Sequence, residues 1–251
     1  MLVDLEIAGG IGWLRLRRPE SANALNGPLL RELYGLQRQL RRESQVRVVI
    51  TLGEGKGFCS GSDLREQAGF SLLQAEKSQR LEARVCRELL RLRQPTIAGV
   101  HGYALGGGLF LATHHDFQIV AADARIGLPE VKLGWNPAFG IQRLCQLVGV
   151  GVATRWMMQG AEFLPIEAAE RGCITHVVPA SRDVLSACRK LAQEFLEMSP
   201  AGLSAIKQAI WNSYGRQTTR SDTQEALLFK KCLPTAQKRV AKYSMRKRQY
   251  K

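Results

Sequence analysis

An α/β fold that passes into an all-helical C-terminal region is what this 251-residue sequence predicts. Three observations carry the prediction. Apolar β-type runs recur through the first half, separated by turns and by leucines at helical spacing, as in a parallel sheet with helical crossovers. From Ala138 onward only residues 175–178 interrupt a series of helical segments. The composition is 45% apolar, enough for one sizeable core, or one core with a small appendage.

The elements follow in order. Residues 2–7 and 11–17 alternate as two strands joined by the Ala8-Gly9-Gly10 turn, and Arg18-Pro19 ends the second. Leu29, Leu30, Leu33, Leu36 and Leu40 repeat at helical spacing up to Arg41-Arg42. A strand over 46–52 leads into the segment Gly57-Phe58-Cys59-Ser60-Gly61-Ser62-Asp63-Leu64. Residues 71–92 form a helix with Leu72, Leu73, Leu81, Val85, Leu89 and Leu90 inward, and Pro95 introduces a strand over 96–100. A second glycine segment follows, Gly102-Tyr103-Ala104-Leu105-Gly106-Gly107-Gly108-Leu109, and opens a helix over 107–114. A strand at 116–121 and a short piece at 125–127 precede helices at about 138–148, 150–158, 165–171, 182–198, 201–213 and 220–233.

The two glycine segments are the most informative features. Each delivers bare backbone after an apolar run, and a residue without Cβ lets a ligand come close. Two such turns can aim two peptide N–H groups at one oxygen, and donors fixed where negative charge develops form an oxyanion hole. The helix opened by the second adds free N-terminal N–H groups and a dipole that favours an anion.

Phe58-Cys59-Ser60-Gly61-Ser62-Asp63-Leu64, the triple-glycine segment, and Gly127-Leu128-Pro129-Glu130 followed by Leu133-Gly134 together resemble the crotonase (enoyl-CoA hydratase/isomerase) superfamily. The motifs come in the family's order, and the resemblance runs from about Leu2 to about Gln217. It implies a spiral of ββα turns topped by a helical C-terminal region that trimerises, commonly as a dimer of trimers. The catalytic core is expected over 1–195 and the helical region with its basic tail over 196–251. The resemblance makes the oxyanion amides those of Ser62 and Gly107, holding the enolate oxygen of an acyl thioester. It implies substrate contacts from Ala22 and Ala24 in the turn that lines the adenine pocket, and from Lys56, Phe58, Ser60, Asp63 and Leu64 in the first motif. Gly106, Phe110, Trp135 and Phe139 are the further substrate-binding expectations. No cofactor is expected beyond the coenzyme A of the substrate.

The count of acids narrows the chemistry. Hydratases of the family use two glutamates, the first three residues after the middle glycine of the triple-glycine motif and the second twenty residues later. Here those positions hold Phe110 and Glu130. Phe110 can neither accept nor deliver a proton, and residues 131–146 contain no Asp or Glu. One carboxylate beside an oxyanion hole suits a proton shuttle between C2 and C4 of a 3-enoyl thioester, as in the family's Δ3,Δ2-enoyl-CoA isomerases. Against Phe110, Trp135 and Phe139, a Glu130 carboxyl is expected to be desolvated, which raises its pKa. The runner-up is a dehydratase or decarboxylase of branched 3-hydroxy- or glutaconyl-type groups carried on CoA or a carrier protein. The loop over 133–143 supports it: this loop is one residue shorter than the family's and puts bulky Phe139 and Ile141 at or near glycine positions.

Asp63 is expected to fix its loop by accepting backbone N–H groups, and His101 to orient a turn. His114 and His115 end a helix and cap carbonyls, with no catalytic role. The six cysteines are widely spaced with no CxxC pair, so they read as reduced thiols of a cytosolic protein, and metal binding is not expected. The first ten residues have no basic segment followed by a long apolar one, so no secretory signal is read there. No apolar run reaches the length of a membrane span.

Net charge is +14, and residues 230–251 hold nine Lys/Arg with no Asp or Glu. The plain reading is a solvated face or tail. Beneath it stand coenzyme A phosphates, an acidic acyl carrier protein, or non-specific nucleic acid. Tyr243 with Arg246, Lys247 and Arg248 is the candidate CoA patch, although Arg239-Val240 stands where family members often carry an acidic-Gly pair. A nucleic-acid-binding scaffold with a vestigial site is the reading from a different class, and no aromatic-interleaved RNA motif supports it.

Overall fold

The computed structural model describes the backbone of residues 1–249 and all their side chains except those of 214–219 and 242–249. The candidate patch at Tyr243, Arg246, Lys247 and Arg248 lies outside the described side chains.

Strands β1 (Val3–Ala8) and β2 (Ile11–Leu16) form an antiparallel hairpin with Val3 opposite Leu16. Helix α1 (Gly27–Leu40) returns the chain. Its N-cap Asn26 accepts from the Leu29 N–H at 3.0 Å, and its Leu29, Leu30, Leu33 and Leu40 are buried. Strand β3 (Val48–Gly53) runs parallel to β2. The short α2 (Leu64–Ala68) and long α3 (Leu72–Arg91) follow, the latter opened by a capping box between Ser71 and Gln74. Strand β4 (Thr96–Val100) lies parallel to β3 and is buried along its whole length, as a strand covered on both faces must be.

Next come β5 (Tyr103–Leu105), α4 (Gly107–Thr113), β6 (Phe117–Ala121), β7 (Arg125–Gly127) and α5 (Glu130–Leu133). The remainder comprises α6 (Ile141–Val148), α7 (Val150–Gln159), β8 (Glu162–Phe163), α8 (Pro165–Glu170), β9 (His176–Val178), α9 (Val184–Glu197) and α10 (Pro200–Gln249). The main sheet has the order β1-β2-β3-β4-β6-β9, parallel beyond the first hairpin, and β5-β7-β8 form a second, three-stranded sheet. The mixed α/β body with a helical C-terminal region is thus the expected fold class.

Two helical expectations need correction. The segments 201–213 and 220–233 are parts of one helix, α10, which passes through Pro234. Phe229, Leu233, Ala236 and Val240 are buried, so the apolar stripe continues at steps of four, three and four across the proline. Packing on Trp135, Ala138 and Ala75 offsets the amide hydrogen bond the proline removes. In α3 the expected inward residues Val85 and Leu89 are buried and Leu81 packs on the core, but Leu72 and Leu73 of the first turn are exposed. Ala75, Gln79, Glu82, Ala83 and Cys86 complete the buried stripe.

Helix α10 also supplies acids to the loop over 131–146. The Glu225 carboxylate accepts the N–H groups of Ile141 at 3.1 Å and Gln142 at 3.4 Å, and Asp222 Oδ1 accepts that of Gly140 at 3.1 Å. These bonds satisfy the first amides of α6, which has no side-chain N-cap of its own. Asp222 is also paired with Arg87 of α3, and Lys230 with Glu76 at 2.9 Å. Among the described residues no helix is long and apolar enough to cross a membrane.

Candidate active site

The two glycine segments meet backbone to backbone. The first is held as a strap: Leu25 N–H donates to Gly61 O at 2.8 Å, Asp63 N–H to Leu25 O at 3.0 Å, and Leu105 N–H to Cys59 O at 3.1 Å. Gly61 has φ +95°, and a Cβ there would lie 2.7 Å from Leu105 O and 3.3 Å from the Gly107 nitrogen. Only glycine allows this approach. The peptide N–H groups of Ser62 and Gly107 donate to no group among the described residues. Two unpaired amides on touching turns, one of them at the first position of α4, can receive a developing negative oxygen.

Glu130 is the first residue of α5, directly after β7 and Leu128-Pro129. The Gly106 N–H donates to Gly127 O at 2.8 Å, which ties the triple-glycine turn to this loop. Gly106 has φ +54°, and a Cβ on it would lie 2.7 Å from Glu130 Oε1. Although the residue as a whole is only partly buried, its Oε2 is shut off from solvent and has no hydrogen-bond partner. Burial pushes the carboxyl up to about 7, against a small opposing contribution from its own backbone N–H. Phe110 is 2% exposed, and its ring centroid lies 5.6 Å from that of Phe139.

A second carboxyl, which sequence reasoning missed, belongs to the same cluster. Glu82 of α3 is 1% exposed, and its Oε2 accepts the Ser62 hydroxyl at 2.7 Å. The same oxygen would lie 3.2 Å from a Cβ on Gly107. Its Oε1 is buried without a partner. Burial pushes this carboxyl up to about 8; the Ser62 hydroxyl opposes the shift, and the carboxylates of Glu66 and Glu130 add to it. Two acids, each with one buried, unpartnered oxygen, therefore flank Gly106 and Gly107. The available signal was an acid on the buried stripe with Gln79 and Cys86, where charge is costly. Glu82 lies one turn before Val85 and Cys86 on that stripe, and reading only the apolar residues of the helix passed over it.

The other expected site residues are distributed as follows. The turn holding Ala22 and Ala24 is fastened to the strap, with Ser60 N–H donating to Ala22 O at 3.1 Å. Asp63 caps α2 by accepting from Arg65 N–H at 3.0 Å and Glu66 N–H at 3.3 Å, and both Arg18 NH groups donate to its Oδ2 at 3.0 Å. Leu64 starts α2 and packs on the second apolar cluster. Lys56 is exposed, whereas Phe58 lies wholly inside the main core. Trp135 is turned to α10, its ring 5.2 Å from that of Phe229. His101 Nε2 lies 3.0 Å from Gly55 O. His114 and His115 place Nδ1 at 2.6 Å from Phe110 O and 2.9 Å from Leu111 O. Burial depresses both, to about 3 and about 4, so they are neutral donors that end α4.

Comparison with known proteins identifies the family. The profile of the family described as enoyl-CoA hydratase/isomerase matches residues 6–251. The short-chain-enoyl-CoA hydratase of Clostridium acetobutylicum is 32% identical over 241 residues, covering 95% of this chain and 92% of that protein. An enoyl-CoA isomerase/hydratase of Mycosarcoma maydis is 36% identical over 213 residues, covering 80% and 77%. The crystal structure of an enoyl-CoA hydratase from Bacillus anthracis superposes with a TM-score of 0.81 at 32% identity, covering 90% of this chain and 91% of that one.

Proposed function

Since the chain belongs to the enoyl-CoA hydratase/isomerase family, we propose that it transforms an enoyl-CoA thioester through an enolate, with Glu130 carrying the proton. The Ser62 and Gly107 amides hold the enolate oxygen. Glu130 removes a proton from C2 of a 3-enoyl thioester and returns it at C4 of the dienolate, which is Δ3,Δ2 isomerisation. The observation that carries this reading is the closed, unpartnered Glu130 carboxyl beside Gly106, raised to about 7, so that it is part base and part acid at neutral pH. An oxyanion donor supplies about 3–4 kcal/mol of barrier lowering and a positioned base roughly 10²–10⁴ in rate.

Incubation with 3-enoyl-CoA and 2-enoyl-CoA tests the reading. Isomerisation by the wild type and its loss in Glu130→Gln support it; full activity in the variant removes Glu130 from the mechanism. A second reading, addition and removal of water at C3, is favoured by the second buried acid, Glu82. Relatives named as hydratases lend it weight. The homotrimer, or dimer of trimers, is part of the same proposal. Exposed Ile206, Ile210, Leu227 and Leu228 on α10 are apolar surface that an assembly would cover, and light scattering of the purified protein reads its mass.

A further inference from the structure

We propose that Glu82 of α3 is the second proton-bearing residue of this site, meeting the C3 oxygen of a 3-hydroxyacyl thioester, or the water that becomes it, through Oε1. The assignment rests on the reading of Glu130 and of the two amides. It replaces on α3 the acid that position 110 of α4 lacks.

Four observations support it. Glu82 Oε2 is occupied by the Ser62 hydroxyl, so the carboxyl has a fixed orientation. Oε1 is buried and has nothing to bond in the free protein, a state that costs free energy unless a ligand fills it. The carboxyl stands 3.2 Å from where a Gly107 side chain would begin, beside the amide that receives the thioester oxygen. Glu130 stands on the neighbouring Gly106, so the two acids bracket the carbons next to that oxygen. The groups facing Glu82 are the Ser62 hydroxyl, the Glu66 and Glu130 carboxyls, and the thiols of Cys59 and Cys86. Burial pushes both thiols up, Cys59 to about 12, so they stay neutral.

Burial raises both carboxyls, so the pair can hold a single proton, with the more enclosed Glu82 as its acid and Glu130 as its base. In that state Glu130 takes the C2 proton and the electron pair moves onto the thioester oxygen. The pair returns to form the C2=C3 bond as the C3–O bond breaks. Glu82 gives its proton to the departing hydroxyl, which leaves as water. The proton on Glu130 passes to solvent and Glu82 regains one, so the net change is loss of one water. The reverse sequence adds it.

The test uses the wild type, E82Q and E130Q. Crotonyl-CoA and 3-hydroxybutyryl-CoA report hydration and dehydration, and butyryl-CoA in D₂O reports exchange of the C2 hydrogen. E82Q, which still accepts the Ser62 hydroxyl, is expected to lose about 10²–10⁴-fold of hydration and dehydration while keeping most of its C2 exchange. E130Q is expected to lose both. Undiminished hydration in E82Q overturns the assignment, as does a wild type that exchanges the C2 hydrogen but neither hydrates nor dehydrates. Equal loss of exchange and hydration in E82Q also overturns it, leaving Glu82 a positioning residue that acts through Ser62. Absence of C2 exchange in the wild type overturns the underlying reading instead. Should E82Q not fold, E82D, which draws the carboxyl back by one methylene, decides: hydration and dehydration are expected to fall more than C2 exchange, and an equal loss or no loss overturns the proposal.

Discussion

The Ser62 hydroxyl donates to Glu82 Oε2 at 2.7 Å, and this bond joins the first glycine turn to the buried face of α3. Ser62 therefore has two functions in the fold. Its side chain orients a buried acid, and its peptide N–H, without a partner among the described residues, follows Gly61, whose Cβ would lie 3.3 Å from the Gly107 nitrogen.

Glu130→Gln keeps the size of the side chain and removes its proton chemistry. Isomerisation of 3-enoyl-CoA should fall by about 10²–10⁴ in kcat with a small change in KM. Wild-type activity should rise with pH through about 7, because a base works when ionised. Steady-state kinetics from pH 5.5 to 8.5 check both.

Glu82 carries a stability signature. Its folded pKa of about 8 lies above the ordinary glutamate value, so the native state holds the proton more tightly than the unfolded chain. The stabilisation from that proton is fully present below the unfolded value and is lost as pH rises through about 8. Glu82→Gln has no such loss. The melting temperature of the variant relative to the wild type should therefore increase steadily from about pH 5 to about pH 8 and then level off. A difference independent of pH in thermal denaturation contradicts the burial of this acid.

Gly106→Ala introduces a methyl 2.7 Å from Glu130 Oε1 at a residue with φ +54°. With ψ −126° this backbone conformation is one that residues other than glycine rarely adopt, a strain of about 1–3 kcal/mol, and the carboxyl must move. Activity should drop with that of Glu130→Gln, and circular dichroism with urea melts separates the site effect from loss of fold.

Glu225→Ala removes the side chain that accepts from Ile141 and Gln142 at the start of α6. Loss of a cap of this kind costs about 0.5–2 kcal/mol, read as a lower urea midpoint with an unchanged slope.

The succession of strands and helices and the glycine turns were legible in the sequence, because parallel strands are continuous apolar runs and the turns contain residues with few conformational substitutes, whereas the order of strands in the two sheets was not. Glu130 was legible by its spacing from the triple-glycine motif. Glu82 was not. Its helix was phased on leucines and valine, and Val85 and Leu89 do mark the buried face, but a charged residue on that face is not counted by an apolar pattern. The buried register is set by α1 and α10 packing on α3, information that no local window contains. The continuity of α10 was missed for a related reason: Pro234 reads as a stop, and only the stripe beyond it, buried on Trp135 and Ala138, shows why the helix goes on.

Incorporation of deuterium at C2 of butyryl-CoA, followed by proton NMR in D₂O, tests the central claim with no assumption about isomerisation or water addition. The account predicts exchange by the wild type that falls by about 10²–10⁴ in Glu130→Gln. Exchange that proceeds equally in that variant, or none in the wild type, contradicts it.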